Sequence, residues 1–247
     1  MYHLHGFKII ILFISILSFS LPQALLSQDR PQDNYNFWEF KNKPFYFGLT
    51  LGMHSSGYLH SKSKNFPESD SLRNITSADV PGLHVNIITN LKIGQYFDFR
   101  FIPGFAFSER KFQFQNTLKD TPNKVLSEIR IESVFLEIPL LLRFKSDPYK
   151  DKRLFVVAGL KYSYDVSSNS RTRKEIAKNL LQIAPHDFQF EIGAGMQFFF
   201  PFFIFSPEIK FSRGISNIHI YNGQLEQSRI LDKVLSRAFT ISLHFEG

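Results

Sequence analysis

The sequence predicts an all-β chain that folds as an eight-stranded antiparallel transmembrane β-barrel with short periplasmic turns and long extracellular loops. Three observations predict this fold. Apolar residues alternate with polar or small residues in eight segments, the connections between these segments are short and long in turn, and an export signal precedes them. A barrel of the bacterial outer membrane has this pattern because its short turns face the periplasm and its long loops face the outside.

The first 27 residues predict a signal peptide, in which Lys8 precedes an apolar run at 9–21 and cleavage follows Ser27. The run is too short for a confident spanning helix, and no stop-transfer pattern follows it, so an uncleaved anchor is the weaker alternative. Residues 28–44 form an N-terminal periplasmic leader, either a tail whose aromatic residues touch the membrane interface or a flexible segment without a role. The barrel domain then covers residues 45–247.

Composition excludes several classes of function. The chain has no cysteine, which excludes lipoprotein anchoring, disulfides, thiolate catalysis and cysteine metal sites. Its net charge of +7 is scattered along the chain, and an exported protein rarely meets nucleic acid, so we expect no nucleic-acid partner. Solvated loops, or loops that contact lipopolysaccharide phosphates, explain the basic residues better.

The first three strands are predicted at residues 45–53, 80–91 and 97–107. A hydrophilic loop at 54–79 joins the first two, and a tight turn around Gly94 joins the next two. Because strand side chains alternate between two faces, each strand has one apolar face. In the third strand this face carries Phe97, Phe99, Phe101, Phe105 and Phe107.

The fourth and fifth strands are predicted at residues 129–144 and 153–165. A second long connection, 108–128, precedes them, and a short turn, 145–152, joins them. Pro139 lacks a backbone N–H, so we expect a bulge or an irregular bond at that point.

The last three strands are predicted at residues 187–198, 204–213 and 237–245. The short turn between the first two, 199–203, is apolar, as expected of an aromatic girdle at the periplasmic interface. The chain thus has three short turns and four long loops, which places both termini on the periplasmic side.

The third and fourth long loops, 166–186 and 214–236, carry possible short helices at 175–183 and 225–235. The third loop also carries a basic cluster that could contact lipopolysaccharide or an acidic partner through charge-assisted hydrogen bonds. A merely solvated loop is the alternative. The cluster consists of Arg171, Arg173, Lys174 and Lys178.

The apolar face of each strand is predicted to face lipid. A soluble barrel of the lipocalin kind would bury that face instead. The polar face is rich in glycine and in opposed charges, which suits a narrow lumen, and the apolar face extends over about nine residues per strand, close to a bilayer crossing.

Eight strands enclose a bore that side chains fill, which excludes a general porin or a polypeptide conduit. The inward charges nearly balance, so we expect them to pair in a structural network, since an unpaired charge in the lumen is costly. A proton or ion path is the functional alternative. The inward charges are Asp98, Arg100, Glu137, Arg143, Lys161, Asp165, Glu191, Glu208 and Lys210.

No catalytic, cofactor-binding or metal-binding residues are predicted. Serine, histidine and aspartate are present, but no nucleophile elbow or histidine-centred motif accompanies them. A barrel enzyme acting on lipid or peptide remains an alternative that alanine substitutions would test at His84, His244 and Asp98. His54, His60 and Asp70 could together bind a metal ion, but their spacing matches no familiar metal-ligand pattern.

Four segments carry a resemblance to a known family: FYFGLTLGMHSS from Phe45, VPGLHVNIITNLKIGQYFDFRFIPGFAFSER from Val80, IESVFLEIPLLLRFKS from Ile131, and RLFVVAGLKYSYDVSS from Arg153. They resemble the PorT family of the Bacteroidetes phylum, outer-membrane barrels associated with type IX secretion and, in gliding relatives, with motility. The segments cover the first five strands, and beyond Ser168 the similarity is one of general pattern.

The resemblance implies a non-enzymatic accessory or assembly factor for protein secretion that works beside a larger translocon. It supplies no catalytic or cofactor residues. The partners that follow are outer-membrane lipid, lipopolysaccharide and proteins of a secretion machinery. A generic structural or adhesive barrel is the alternative, and a lipid- or peptide-modifying enzyme is a weaker one.

Overall fold

A closed ring of antiparallel strands forms the body of the chain. The computed structural model describes residues 35–62, 74–118, 121–169, 182–221 and 231–247. In chain order its helix and strands are α1 (Tyr35–Lys41), β1 (Phe45–Lys62), β2 (Asn74–Ala78), β3 (Val80–Lys92), β4 (Phe97–Phe101), β5 (Gly104–Leu118), β6 (Thr121–Lys145), β7 (Lys152–Asp165), β8 (Gln182–Ile183), β9 (His186–Phe199), β10 (Ile204–Gly214), β11 (His219–Ile220) and β12 (Leu231–Glu246).

The ring has eight positions and no open edge. Its order is β1, β12, β10, β9, β7, β6, then β4 and β5 in succession, then β3, which pairs with β1 again. All these pairings are antiparallel. The predicted eight-stranded antiparallel barrel is confirmed. No helix among the described residues has the length and hydrophobicity needed to cross a membrane.

The apolar face of each strand lies on the outside of the ring. Phe47 and Met53 of β1 are 55% and 60% exposed, whereas Tyr46 and Thr50, on the opposite face of the same strand, are 2% and 1% exposed. Alternation in the sequence therefore becomes a Phe- and Leu-rich outer wall and a polar interior. A wall of this kind is stable only against hydrocarbon.

The two ends of the barrel differ. At the turn end, short connections at 93–96, 146–151 and 200–203 join neighbouring strands. At the loop end, the strands run on past the ring or lead into the longer connections. Helix α1 and the chain terminus at Gly247 both lie at the turn end, where Gly247 N–H donates to Phe47 O at 2.9 Å.

The irregularity expected at Pro139 falls on the facing strand. The pairing of β6 with β7 runs through Pro139 opposite Lys161 without a shift. On the other edge of β6 the ladder is interrupted at Ile102 and Pro103, between β4 and β5, and Ile102 N–H donates to Pro139 O at 3.3 Å. A proline at each side of this point reduces the donors available, so the ladder breaks there.

The prediction that the second long connection, 108–128, is a loop is wrong. β5 and β6 continue as a hairpin, from Ser108 opposite Ser133 to Leu118 opposite Thr121, and β2 pairs with β5 as a third strand. The alternation of apolar and polar residues does continue through this segment. It was missed because the segment is too polar for a lipid-facing strand, although a strand outside the membrane needs no lipid-like face.

Further boundaries differ from the prediction. β1 continues to Lys62 instead of ending at 53, and β2 lies within the predicted loop 54–79. β12 begins at Leu231 and pairs with β1 up to Lys62, so the helix predicted at 225–235 is wrong over its described part, 231–235. Residues 182–183 of the other predicted helix form β8, which pairs with β11, and the rest of that helix lies outside the described residues. In both cases pairing with a distant strand overrides a local helical pattern.

The orientation of the wall can be tested with one arginine. Ile192 is 51% exposed at the middle of β9, so Ile192→Arg should lower the free energy of unfolding by roughly 2 to 4 kcal/mol. The measurement is urea unfolding in phospholipid vesicles. Phe202→Arg is the control, because Phe202 is 89% exposed at the turn end and an interfacial arginine costs about 0 to 1 kcal/mol. Equal costs at the two positions would contradict the assignment.

Candidate functional site

The lumen of the barrel is the candidate site, because the inner faces of all eight ring positions carry buried polar side chains. Charges in such a place are stable only when they are paired and hydrogen-bonded.

At the turn end of the lumen, Asp98 accepts hydrogen bonds from two cations. Arg143 donates to it through Nη2 at 2.6 Å and through Nε at 3.0 Å, and Lys145 donates to its other oxygen. Arg143 also donates to Tyr46 Oη and to Asn90 Oδ1. All five side chains are at most 2% exposed.

In the middle of the lumen, Arg100 joins two carboxylates. Its Nη1 donates to Glu208 at 2.9 Å, and its Nη2 donates to Glu246 at 2.8 Å, with all three side chains at 0% exposure. Glu246 also lies 3.4 Å from Arg143, which connects this group to the turn-end group.

Toward the loop end, two lysines alternate with two further carboxylates. Lys210 lies 3.8 Å from Glu208 and 3.4 Å from Glu191. Lys161 lies 3.1 Å from Glu191 and 2.9 Å from Glu137. Each lysine therefore has an anion on both sides.

Together these contacts form one ion chain, a row of five cations and five anions in alternating order. It runs Lys145, Asp98, Arg143, Glu246, Arg100, Glu208, Lys210, Glu191, Lys161 and Glu137. The row has no net charge, and each internal member is held from two sides, as a low-dielectric interior requires.

Eight of the nine inward charges predicted from the sequence belong to the ion chain. The ninth, Asp165, accepts instead from Ser133 Oγ and from Ser167 N–H, each at 3.0 Å, at the loop end. Lys145 and Glu246 were not predicted as inward charges, because each lies one residue beyond the end of a predicted strand. Extending the alternation by one step would have found both.

An apolar belt of Ile88, Ile102 and Leu141 lines the lumen on the neighbouring ring positions of β3, β4 and β6, and all three are at most 2% exposed. These residues have the inward parity of their strands, so they place hydrocarbon where a water-filled channel would need polar groups. The belt and the ion chain together fill the bore.

Helix α1 closes the turn end. Phe40 is 3% exposed and packs in a cluster with Tyr46, Phe199 and Ile204, against which Phe37 also packs. The N-terminal leader predicted at residues 28–44 therefore contains a helical cap at residues 35–41. The alternative of a flexible leader is wrong for these residues.

Both ends of α1 are held by turn-end side chains. At its N-terminus, Phe37 N–H donates to Asp151 Oδ1 at 2.9 Å, which satisfies one of the unpaired amides of the first turn. Asp151 and Lys150 have φ of 57° and 48°, the left-handed pair of a two-residue hairpin turn. At the C-terminal end, Lys92 Nζ donates to the carbonyl oxygens of Phe40 and Lys41.

Arg153 lies beneath the helix, 6% exposed, and donates to Gln197 Oε1 at 2.7 and 3.0 Å. Its guanidinium carbon is 5.5 Å from the ring centre of Phe37 and 5.2 Å from that of Phe199. A cation placed over two rings adds to the attachment of the cap.

Three buried histidines occupy the loop-end half of the lumen. His54 Nε2 lies 2.6 Å from Ser108 Oγ, and His84 Nε2 lies 3.2 Å from Ser242 Oγ. His244 lies between a hydroxyl and a carboxylate, with its Nδ1 2.7 Å from Thr50 Oγ1 and its Nε2 3.3 Å from Glu208 Oε1.

The order Thr50, His244, Glu208 is the order of a hydrolytic triad, but the surroundings do not suit catalysis. Each of the three is at most 1% exposed, and Glu208 also binds Arg100. The cavity beside them measures about 20 Å³, room for one or two water molecules. Asp98, considered with His84 and His244 in the enzyme reading, lies apart from them in the turn-end group.

The metal site considered for the first long loop is not supported by the described residues either. His54 lies inside the lumen on β1, and the side chains of His60 and Asp70 lie outside the described residues. Among the side chains that the structure describes, no three from His, Cys, Asp and Glu are grouped as metal ligands. The basic cluster Arg171, Arg173, Lys174 and Lys178 also lies outside the described residues.

The chain belongs to the outer membrane protein beta-barrel domain family, whose profile matches residues 26–219. It is an outer-membrane β-barrel. A comparison with curated proteins gives no match.

Three solved structures are similar over 82 to 83% of this chain. The outer membrane protein OprG from Pseudomonas aeruginosa is 11% identical, with 97% of its chain covered and a TM-score of 0.48. Neisserial surface protein A is 11% identical, with 96% covered and a TM-score of 0.38. Ail of Yersinia pestis, in complex with the heparin analogue sucrose octasulfate, is 10% identical, with 100% covered and a TM-score of 0.35. At these values the likenesses carry no conclusion about function.

The ion chain predicts unequal costs for two arginine substitutions. Arg100→Met leaves two buried carboxylates without their partner, so it should lower the free energy of unfolding by about 3 to 5 kcal/mol in urea titrations of the folded barrel. Arg237→Met is the matched control: its pair with Asp79 at 3.0 Å is 37% and 43% exposed, so the loss should stay below about 1 kcal/mol. Similar losses in both variants would show that the lumen charges are hydrated.

Proposed function

We propose that this chain is a non-enzymatic accessory or assembly factor for protein secretion across the outer membrane, of the type IX kind, and that it is not the conduit. The observation that carries the proposal is the filled lumen, which leaves only the outer surfaces of the barrel for function. The resemblance of the first five strands to the PorT family supplies the process in which those surfaces act.

Three successive features oppose passage through the barrel. Helix α1 covers the turn end, the ion chain extends along the lumen, and the belt of Ile88, Ile102 and Leu141 fills part of it with hydrocarbon. An extended polypeptide needs a far wider bore than side chains leave in an eight-stranded barrel. A barrel of this kind contributes to secretion by binding other components.

The surfaces available for binding lie outside the lumen. The loop end carries the three-stranded sheet of β2, β5 and β6. The wall carries exposed aromatic residues that suit lipid or a second barrel. Arg171, Arg173, Lys174 and Lys178, which follow β7 in the sequence, are proposed contacts for lipopolysaccharide phosphates or an acidic partner.

The proposed orientation places both termini in the periplasm. Export through a signal peptide at residues 1–27 delivers the chain to the periplasm, and α1 and Gly247 share the turn end. Short turns of outer-membrane barrels face the periplasm, so the sheet of β2, β5 and β6 projects outside the cell.

A generic structural or adhesive barrel is the second candidate. The same three-stranded sheet favours it, because a sheet that extends beyond the ring suits attachment to an external surface. A barrel enzyme acting on lipid or peptide is weaker, because the cavity beside Thr50 and His244 has no room for such a substrate.

The filled lumen makes a prediction for conductance. Purified full-length barrel in planar lipid bilayers should give no stable, porin-like conductance steps, because the ion chain and the apolar belt leave no continuous water path. A large-pore porin treated in the same detergent is the positive control. Reproducible ohmic steps that disappear when the protein is omitted would contradict the closed lumen.

The secretion role makes a separate prediction. Deletion of the gene should reduce the proteins released into the medium, and the wild-type gene should restore them. A variant in which residues 109–132 are replaced by a short turn keeps the pairings of β5 and β6 within the ring, so it should insert and yet fail to restore secretion. Insertion is checked by heat-modifiable migration in gels. Unchanged secretion after gene deletion removes this function, and reduced cell attachment with normal secretion favours the adhesive barrel.

A further inference from the structure

Two cations at the turn end, called here the surplus cations, lie outside the ion chain. Arg153 is 6% exposed and donates to described residues only through Nε and Nη2, both to Gln197 Oε1. Lys92 is partly buried and donates to the carbonyl oxygens of Phe40 and Lys41. Within the described part of the chain, neither cation is paired with a carboxylate. Because a buried charge normally has a counter-ion, two positive charges are left over beside a neutral ion chain.

The carboxylates of the turn end are bound to other groups. Asp98 accepts from two cations of the ion chain, and Asp151 accepts from the first turn of α1. Glu39, the single acidic residue of α1, is exposed. Arg143 adds positive potential, because it interacts electrostatically with both surplus cations. The described residues therefore leave the surplus cations without an anion of their own.

A buried donor without an acceptor lies beside Arg153. Gln197 is 0% exposed, its Oε1 accepts from the guanidinium, and its Nε2 has no hydrogen-bond partner. The guanidinium Nη1 likewise forms no hydrogen bond with a described residue. Both nitrogens can only donate, so the group that is missing is an acceptor. Beside a cation the strongest acceptor is an oxyanion.

Helix α1 covers this place with rings and carbonyl oxygens instead of an anion. The ring centre of Phe37 lies 5.5 Å from the guanidinium carbon of Arg153, and Lys92 binds the last carbonyls of the helix. Both surplus cations also lie against one aromatic cluster, 5.2 Å from the ring centre of Phe199 and 5.6 Å from that of Tyr46. A helix of seven residues is marginal by itself, so a ligand that pairs with both cations can displace it.

We propose that the turn end binds one phosphate group, with Arg153, Lys92 and Gln197 Nε2 as its donors, and that α1 is the cover which this ligand displaces. The N–H fork of a guanidinium matches the oxygens of a phosphate. A phosphate monoester carries about −1.5 to −2 charges at neutral pH, which matches the two surplus cations. Free phosphate and the head group of an anionic lipid share this chemistry, and the experiment separates the two sources.

Trp38 makes the test direct, because it is the single tryptophan of the chain and lies on α1, 47% exposed. Its fluorescence is followed in full-length folded barrel in detergent, at an ionic strength held constant with NaCl. The two probes are inorganic phosphate and dihexanoyl phosphatidic acid. Wild-type protein should give a saturable change with at least one probe, and the probe that acts identifies the source. Dihexanoyl phosphatidylcholine, which has no net charge, should give no change.

Two variants remove the proposed donors. Arg153→Gln should weaken phosphate binding about tenfold or more, because a charge-assisted contact is lost, and Lys92→Met should weaken it as well. Lys152→Gln is the matched control. Lys152 precedes Arg153 in the chain, but it is exposed and its Nζ lies 5.8 Å from the ring centre of Phe198. This variant should respond as wild type does.

Gln197→Glu keeps the shape of the side chain and supplies the missing carboxylate beside Arg153. It should raise the urea midpoint of unfolding above that of wild type and abolish the response to phosphate, and it decides the matter even if Arg153→Gln does not fold. A lower midpoint would show that Arg153 needs no counter-ion and would overturn the proposal. The same follows from no saturable change with either phosphate probe, an equal response to phosphatidylcholine, or equal responses of Arg153→Gln and Lys152→Gln.

Discussion

The pairing of charges inside the lumen is the constraint on which the rest of the structure depends. The apolar side chains of every strand face lipid, so the polar and charged side chains have to find hydrogen-bond and ionic partners within a narrow bore. The alternating ion chain does this with five cations and five anions. Removal of any internal member leaves two buried charges with one partner fewer, which makes the lumen a single cooperative unit.

A lumen satisfied in this way is also a closed lumen. Arg100 and Arg143 extend across the bore to reach carboxylates on other strands, and the belt beside them is hydrocarbon. Helix α1 adds a cover at the turn end that depends on contacts with two separate turns, at Asp151 and Lys92. Stability and closure therefore have the same origin, and the ends and the wall are the surfaces left for function.

The sequence reading was most accurate where membrane crossing imposes a strict period. All eight ring positions and their outward residues follow from alternation. It failed beyond the membrane, where the β5–β6 hairpin is as polar as a loop, and at strand ends, where Lys145 and Glu246 lie one residue past the predicted boundaries. Strand ends depend on pairing partners, and those are distant in the sequence.

The amino-acid sequence by itself determined the class of fold, the lipid-facing side of each strand and eight of the ten charges of the ion chain, because alternation is a local property of an extended chain. Only the tertiary structure decided which charges meet. Arg100 and Glu246 are 146 residues apart in the chain and 2.8 Å apart in the lumen. The order of strands around the ring and the stagger between them bring such residues to the same depth, and no local pattern records either quantity.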